Sequence, residues 1–196
     1  MQFMRPRPDT APLVDRFCVY SECHTEFVRR REPPTGLATL VFNLGPQLRV
    51  ELADGSCGTY EAGDAFFSGP SETYAITETD CAQRGVQVSL TPLGARRLLG
   101  FPLDEVRDRL IDPTELFGQS ARRTMDRLRE TDAPERHLAI IEEEVELALA
   151  RPSRPVAYDL VWALRRLRAS SGRITIAASW GAAADIFLFV SNESSA

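Results

Sequence analysis

The first 90 residues contain short apolar segments that recur every 8 to 12 residues, and turn residues separate them. This rhythm is typical of an antiparallel sandwich or barrel. The segment 37–44 is almost continuously apolar, as in a strand buried on both faces. Gly45-Pro46, Asp54-Gly55 and 61–64 are the expected turns. The predicted strands cover residues 13–20, 37–44, 48–52, 65–68, 73–76 and 85–90, and we expect about seven in all.

The periodicity changes after Leu90, where helical spacing begins. Thr91 and Pro92 predict the cap and first turn of a helix that Gly100 ends. Further short helices are expected over 102–110, 113–117 and 120–129. Asp132 is expected to cap a longer helix with an apolar stripe, and a second amphipathic helix is expected from Val156. The fold class is therefore α+β, an antiparallel β-barrel or cupin-like sandwich followed by a helical region.

Composition excludes several functional classes. The 23 basic residues are all arginine and are outnumbered by 28 acidic residues, so the basic excess common in nucleic-acid-binding domains is missing. The chain has two histidines, too few for a three-histidine metal site, and their wide separation in the sequence fits neither a two-histidine cupin site nor an H-E-x-x-H motif. The four cysteines are expected to be free buried thiols. Cys18, Cys23 and His24 are the weak metal candidates, and we predict neither a metal nor another cofactor.

Other candidate site residues have ordinary structural explanations. Glu61 and Asp64 are possible catalytic carboxylates, but they flank a glycine in a turn, where carboxylates are usually solvated. The Arg29-Arg30-Arg31 run is expected in a solvated hairpin loop, with a phosphate-binding patch as the alternative. Six aromatic residues can line a pocket but are more often core: Tyr20, Phe42, Phe66, Phe67, Tyr74 and Trp162. We therefore assign no catalytic, ligand-binding or DNA-binding residue.

Several segments, in their order along the chain, resemble bacterial transcription regulators of the AraC family. They are 40–45 (LVFNLG), 88–95 (VSLTPLGA), 99–103 (LGFPL), 112–118 (DPTELFG) and 172–178 (GRITIAA). The resemblance covers roughly residues 10–178 and lies mainly in the sensor half of the family. It implies a β-rich sensor domain at 1–90, a helical linker and dimerisation region at 91–152, and the start of a helix-turn-helix domain at 153–178. It also implies a small-molecule effector as a possible partner, a homodimer and, for an intact member, DNA.

The segment 179–196 departs from this family pattern. It contains no basic residue, because Arg173 is the last one in the chain, and phosphate contact by Arg173 or Thr175 alone would be weak. The segment can be encoded with synonymous codons chosen so that a second reading frame, shifted by two bases, is also meaningful. Translation in that shifted frame gives Arg-Arg-His and further arginines, similar to the expected recognition helix. We therefore interpret 179–196 as an aberrant tail after a frameshift near codon 178, and expect no sequence-specific DNA binding.

The sequence leaves an alternative open: a stand-alone small β-barrel that binds a ligand or a protein partner. An enzyme is not expected, since nucleophile motifs and metal clusters are missing from the sequence. Neither a secretory signal nor a membrane-spanning segment is recognisable, so we expect a cytoplasmic location and no membrane partner.

Overall fold

The computed structural model describes residues 1–80 and 82–150, together with Trp162, Arg166 and Ala169. The chain divides into two compact units, Met1–Ser153 and Arg154–Ala196. In the second unit the three described residues are helical, and the Arg166 guanidinium carbon lies 5.5 Å from the centre of the Trp162 ring. The start of the predicted helix at Val156 and the tail at 179–196 lie outside the described residues. The predicted four-part domain division stays a prediction.

Ten strands are found in the described part of the first unit, more than the seven expected. The additional strands are short or polar, which weakens their sequence signal. Their bounds are β1 Gln2–Met4, β2 Val14–Cys23, β3 Val28–Glu32, β4 Ala38–Asn43, β5 Leu48–Glu51, β6 Cys57–Tyr60, β7 Ala65–Ser68, β8 Ala75–Thr79, β9 Ala82–Leu90 and β10 Leu110–Ile111.

The strands form two antiparallel sheets, which we call sheet I and sheet II. Sheet I has the order β1-β2-β9-β4-β7-β10, and sheet II has the order β3-β8-β5-β6. The two sheets do not close into a barrel. Of the two expected architectures, the structure therefore shows the cupin-like sandwich of an α+β fold.

Four α-helices lie within residues 91–150, with the short strand β10 between the first and the second. They are α1 Pro92–Leu99, α2 Pro113–Phe117, α3 Gln119–Arg129 and α4 Pro134–Ala150. The expected caps of α1 are confirmed: the Thr91 hydroxyl accepts a hydrogen bond from the Gly94 amide, and Gly100 adopts a left-handed conformation at φ 79°. Since only glycine reaches this region without strain, Gly100 ends the helix where the sequence predicts.

Three local predictions are wrong. Residues 102–110 form only a 3-10 turn at Leu103–Val106 and then enter strand β10. The arginine triplet lies in strand β3, because β3 pairs with β8 along its whole length. Asp132 does not cap α4; its carboxylate accepts a hydrogen bond from Arg84 at 2.7 Å, and the Thr131 hydroxyl accepts one from the Ala133 amide.

Sheet I lies between the helices and sheet II, so the first unit has three layers. The apolar residues on one face of sheet I pack against the buried faces of α3 and α4. Phe42, Val86 and Val88 belong to this cluster together with Leu128 and Ile141, and each is at most 2% exposed. The other face of sheet I is turned to sheet II, where the apolar cluster is small: Val41, Leu48, Val50 and Phe66. None of the described helices is long and apolar enough to cross a membrane.

Candidate functional site: the cavity between the sheets

Polar side chains stand side by side on the face of sheet I that is turned to sheet II. Ser89 on β9 is paired with Arg16 on β2 and with Thr39 on β4, and Thr39 is paired with Ser68 on β7. All four side chains line a cavity of about 320 Å³ between the sheets. The inner faces of a sandwich ordinarily interdigitate apolar side chains. This polar row therefore marks the inter-sheet space as different from a plain core.

Another part of the cavity wall is apolar and includes residues of both sheets. Val41 and Phe66 on sheet I and Leu48 and Val50 on sheet II all line it, and each is at most 6% exposed. The ring of Phe66 is stacked on Tyr60 with 4.3 Å between the ring centres, which fixes its position. The cavity thus combines hydrogen-bonding groups with apolar surface, the usual composition of a small-molecule pocket.

The charged side chains of the cavity are concentrated near the β2–β3 hairpin. The Arg30 guanidinium lies 2.6 Å from the Glu22 carboxylate, and His24 Nε2 lies 3.2 Å from the same carboxylate. The hydrogen bond from Arg30 holds the pKa of the Glu22 carboxyl below its ordinary value, and His24 acts in the same direction. Glu32 accepts a hydrogen bond from the Thr77 hydroxyl at 3.1 Å.

Tyr20 and Gly85 form a close contact next to the cavity. They are paired across β2 and β9, and a Cβ atom on Gly85 would lie 2.5 Å from the Tyr20 hydroxyl and 2.6 Å from the Phe42 carbonyl oxygen. Only glycine fits under the tyrosine at this point. Burial raises the pKa of the Tyr20 hydroxyl above its ordinary value, so the group stays protonated and can donate a hydrogen bond.

The structure separates the six candidate aromatic residues. Tyr20 and Phe66 line the cavity, whereas Phe42 and Phe67 lie on the opposite face of sheet I in the helix-facing core. Tyr74 is 37% exposed, and the Arg31 guanidinium carbon lies 3.8 Å from the centre of its ring. Trp162 belongs to the second unit.

The candidate carboxylates Glu61 and Asp64 lie in a turn outside the cavity. The Asp64 carboxylate accepts a hydrogen bond from the Glu61 amide at 2.8 Å, and Glu61 accepts one from Gln47 at 2.5 Å. The side-chain amide of buried Asn43 supports the turn, because it donates to the carbonyl oxygens of Tyr60 at 2.9 Å and Glu61 at 3.2 Å. These contacts give the two carboxylates a role in holding the turn.

A second cleft, of about 660 Å³, lies between this turn and helices α2 and α3. Tyr60 lines it, and burial together with the nearby Asp112 and Asp64 raises the pKa of the Tyr60 hydroxyl to about 12. Asp112 caps α2 by accepting a hydrogen bond from the Thr114 amide at 2.7 Å. Two acidic groups of this cleft, Asp64 and Asp112, thus accept hydrogen bonds from backbone amides.

The cysteines do not gather around a metal position. Cys18 is buried, whereas Cys23 and Cys57 are exposed, so the expected burial is wrong for these two. Cys18 and Cys23 are separated by an odd number of positions on one strand and therefore lie on opposite faces of sheet I. Within 1–80 and 82–150 no group of three potential metal ligands is found. Cys81 lies outside the described residues.

The arginine triplet is held by partners from both sheets. Arg29 pairs with Glu78 and, at 3.8 Å, with Glu51. Arg30 pairs with Glu22, as described above, and Arg31 covers Tyr74. These contacts favour a structural role over the alternative of a phosphate-binding patch. Arg165, Arg168, Arg173 and Thr175 lie outside the described residues.

Comparison with protein families gives one match. Residues 2–112, more than half of the chain, match the family described as "Domain of unknown function (DUF6597)". The chain belongs to this family. The matched segment contains the ten described strands and helix α1, and with them every residue that lines the inter-sheet cavity except Met1. No curated protein matches the chain in sequence.

Solved structures show similarity at low identity. ToxT from Vibrio cholerae is 9% identical with a TM-score of 0.46, over 92% of this chain and 70% of that one. CuxR, described as an AraC-like transcriptional activator, is 15% identical with a TM-score of 0.41, over 89% and 80%. A putative ethanolamine utilization protein, EutQ from Salmonella typhimurium, is 16% identical with a TM-score of 0.35. The similarity to EutQ covers 45% of this chain and 66%, just under two thirds, of the EutQ chain.

Proposed function

We propose that the first unit is the small-molecule-sensing domain of an AraC-like transcription regulator. The observation that carries the proposal is the cavity between the sheets, with its polar row on sheet I and its apolar wall. Polar side chains inside a sandwich cost stability unless something satisfies their hydrogen bonds. A bound small molecule satisfies them, and the resemblance of the sequence segments to AraC-family sensor halves supports the same assignment.

The proposal is tested by following the protein's thermal unfolding with a panel of small metabolites. A molecule that binds the folded state raises Tm, and the increase grows with the logarithm of its concentration once that concentration exceeds Kd. Thr39→Phe, which fills the cavity, is expected to abolish the increase. Thr59→Phe is the matched control, because Thr59 is an exposed strand residue outside the cavity. If every binding molecule raises the Tm of Thr39→Phe as much as that of the wild type, the cavity is not the sensing site.

The loss of DNA binding forms a second part of the proposal. It is supported by the sequence of 179–196, which holds two acidic residues and no basic one. Phosphate contacts by arginine supply most of the affinity of such domains for DNA. Gel-shift titrations with promoter DNA from the source organism are expected to show no sequence-selective complex. A salt-resistant, selective complex would contradict this part and leave the sensing proposal untouched.

The frameshift interpretation is tested at the level of the gene. Sequencing the encoding DNA from codon 170 onward shows whether the shifted frame stays open. An open frame that encodes a second helix-turn-helix supports a truncated regulator. Early stop codons in that frame favour the stand-alone ligand-binding or interaction module.

Homodimerisation is proposed for the helical region at 91–152. The proposal is supported by the resemblance of the sequence segments to AraC-family regulators, which implies a homodimer. Light scattering coupled to gel filtration is expected to give twice the chain mass of 21.8 kDa. A mass of one chain at micromolar concentration contradicts the dimer.

A further inference from the structure

The second cleft, between the turn at 61–64 and helices α2 and α3, carries charges of both signs. Helix α3 contributes Arg122, Asp126 and Arg129 to its lining, the turn contributes Asp64, and Asp112 lies at the start of α2. All five residues are exposed. Within the described part of the chain, no ion pair joins any two of them. The cleft therefore holds opposite charges that do not neutralise each other by direct contact.

Arg129 is fixed against the turn. Its Nη2 atom donates a hydrogen bond to the carbonyl oxygen of Ala62 at 3.2 Å. Gly63 has a φ of 95°, and a Cβ atom at this position would collide with the Arg129 guanidinium, so the guanidinium lies directly against the backbone of the turn. Its other N–H groups donate to no described residue and are available to a ligand. A guanidinium binds a carboxylate through two parallel hydrogen bonds.

Arg122 is a second guanidinium without a partner among residues 1–80 and 82–150. Asp126 follows it by four positions on α3, a spacing at which helical side chains can meet, yet the two do not pair. An arginine before the acid is the less favourable order for such a pair, because each charge then opposes the helix dipole. Arg122 and Arg129 are about two helical turns apart and lie on the same side of α3, where they form the positive part of the cleft.

The carboxylates of Asp64 and Asp112 are each fixed through one oxygen atom. Asp64 Oδ2 accepts a hydrogen bond from the Glu61 amide at 2.8 Å, and Asp112 Oδ1 accepts one from the Thr114 amide at 2.7 Å. The second oxygen of each carboxylate accepts none from the residues that the structure describes, and an ammonium group has three N–H donors to offer. With Asp126 the acids outnumber the arginines, so a ligand that is only negative is disfavoured.

The apolar residues of the cleft lie deeper than its charges. Pro113, Ala121 and Met125 are buried and Ala65 is half-buried, whereas the charged residues of the lining are exposed. Covering these residues with an apolar side chain is favourable, and the flexible Met125 can adapt to its shape. The volume of about 660 Å³ lies within the range of about 300–1,000 Å³ typical for ligand pockets.

We propose that the second cleft binds a zwitterionic small molecule, an α-amino acid with an apolar side chain. Its carboxylate binds Arg122 and Arg129, and its ammonium group binds Asp64 and Asp112. A molecule with one charge of each sign satisfies both sets of groups at once, while its side chain covers the buried apolar residues. The linings of this cleft and of the inter-sheet cavity share no residue, so the inference is independent of the sensing function proposed above.

The test is an NMR titration of the full chain with three probes that share one carbon skeleton. They are leucine, leucinamide, which lacks the carboxylate, and 4-methylpentanoate, which lacks the ammonium group. The titration is done at about pH 6.5, where the amino groups are protonated. Leucine is expected to shift the amide signals of Thr114 and Ala121 and to bind at least about fivefold more tightly than either analogue, because each analogue loses one ion pair.

Two variants separate the two charges. Arg122→Gln is expected to weaken the binding of leucine and 4-methylpentanoate by about threefold or more without weakening that of leucinamide. Its matched control is Arg123→Gln, at the exposed neighbour that does not line the cleft. Asp112→Asn keeps an oxygen that can cap α2, and it is expected to weaken leucine and leucinamide but not 4-methylpentanoate. Glu115→Gln, exposed on α2 and outside the lining, is its control.

Four outcomes would overturn the inference. Binding of either analogue as tight as that of leucine shows that one charge is enough and removes the zwitterion. The absence of a leucine-dependent shift at millimolar concentration removes the site. Shifts confined to Gln87 and Ser89 place leucine in the inter-sheet cavity instead. An equal loss of affinity for Arg122→Gln and Arg123→Gln shows that net charge, and not the arginine of the cleft, controls binding.

Discussion

Asn43, the last residue of strand β4, tests how the turns next to this strand are held in place. This residue is fully buried, and its amide nitrogen donates to the carbonyl oxygens of Pro46 and Tyr60, both at 2.9 Å. Its side-chain oxygen accepts a hydrogen bond from the Gly45 amide at 3.1 Å. Asn43→Asp keeps the size and the acceptor of the side chain but replaces the donor with a second oxygen.

The size of the effect follows from these contacts. Two hydrogen bonds are lost at about 1 kcal/mol each, and the abandoned buried carbonyl groups cost about 1–3 kcal/mol more. We expect the free energy of unfolding to fall by about 3 kcal/mol or more at pH 7. With a denaturant dependence of about 2 kcal/mol per molar urea, the midpoint of urea unfolding moves down by about 1.5 M.

The effect is expected to depend on pH. Burial and the facing carbonyl oxygens raise the pKa of the introduced carboxyl in the folded state above its unfolded value of about 3.9. The variant is therefore least destabilised relative to wild type below that value, where the protonated acid donates one hydrogen bond. The difference grows as the pH rises through the folded-state pKa.

Urea unfolding followed by circular dichroism at pH 4 and pH 7 measures both effects. Gln119→Glu is the matched control, an amide-to-acid change at an exposed position, and is expected to shift stability by about 0.5 kcal/mol or less. The expected shift of the unfolding midpoint at pH 7 is about 1.5 M urea. A shift of about 0.3 M or less for Asn43→Asp refutes the role assigned to the buried amide.

Three further predictions concern positions described above. Thr91→Ala is expected to lower stability by about 1–2 kcal/mol, measured by urea unfolding, because the first turn of α1 loses its cap. Gly85→Ala is expected to lower stability by about 1–3 kcal/mol, and Tyr20→Phe in the same chain should not restore it, since a backbone carbonyl oxygen also blocks the new Cβ. In an NMR pH titration, Arg30→Leu is expected to raise the pKa of the Glu22 carboxyl toward its ordinary value. In the wild type, the lowered pKa of Glu22 stabilises the fold at pH values above the ordinary pKa of a glutamate. This contribution to stability is lost as the pH falls through the pKa of Glu22 in the folded state.

The parts of the fold that follow from local chemistry are predicted correctly from the sequence. Thr91 and Gly100 define both ends of α1, and Pro113 begins α2 behind a capping aspartate, because caps and proline act on the residues beside them. The buried strand β4 is recognisable from its apolar run alone. Of the predicted stripe Leu138, Ile141, Val145 and Leu149 on α4, the last three are buried and Leu138 is half-buried.

The features that depend on distant partners are not predicted. From the sequence alone, the arginine triplet is typical of a loop. Its partner Glu78 is distant in the chain and lies beside it only because β3 and β8 pair in sheet II. The cavity is built in the same way: Arg16, Ser89 and Thr39 come together only through strand pairing, and none of them carries a recognisable motif. The only local signal was the alternation of apolar and polar residues in β9, which indicates that its two faces meet different surroundings.

Strand β9 also lies between the inter-sheet cavity and the helical layer and contacts both. Gln87 faces the cavity, while its neighbours Val86 and Val88 are fully buried in the cluster that holds α4. Neighbouring residues of β9 thus face the cavity and the helix-facing core. A tilt of the backbone at Gln87 therefore changes the packing on both sides. If a ligand at Gln87 slows the exchange of amide protons in α4, then a partner that binds α4 changes the affinity of the cavity by the same factor, because such coupling is reciprocal.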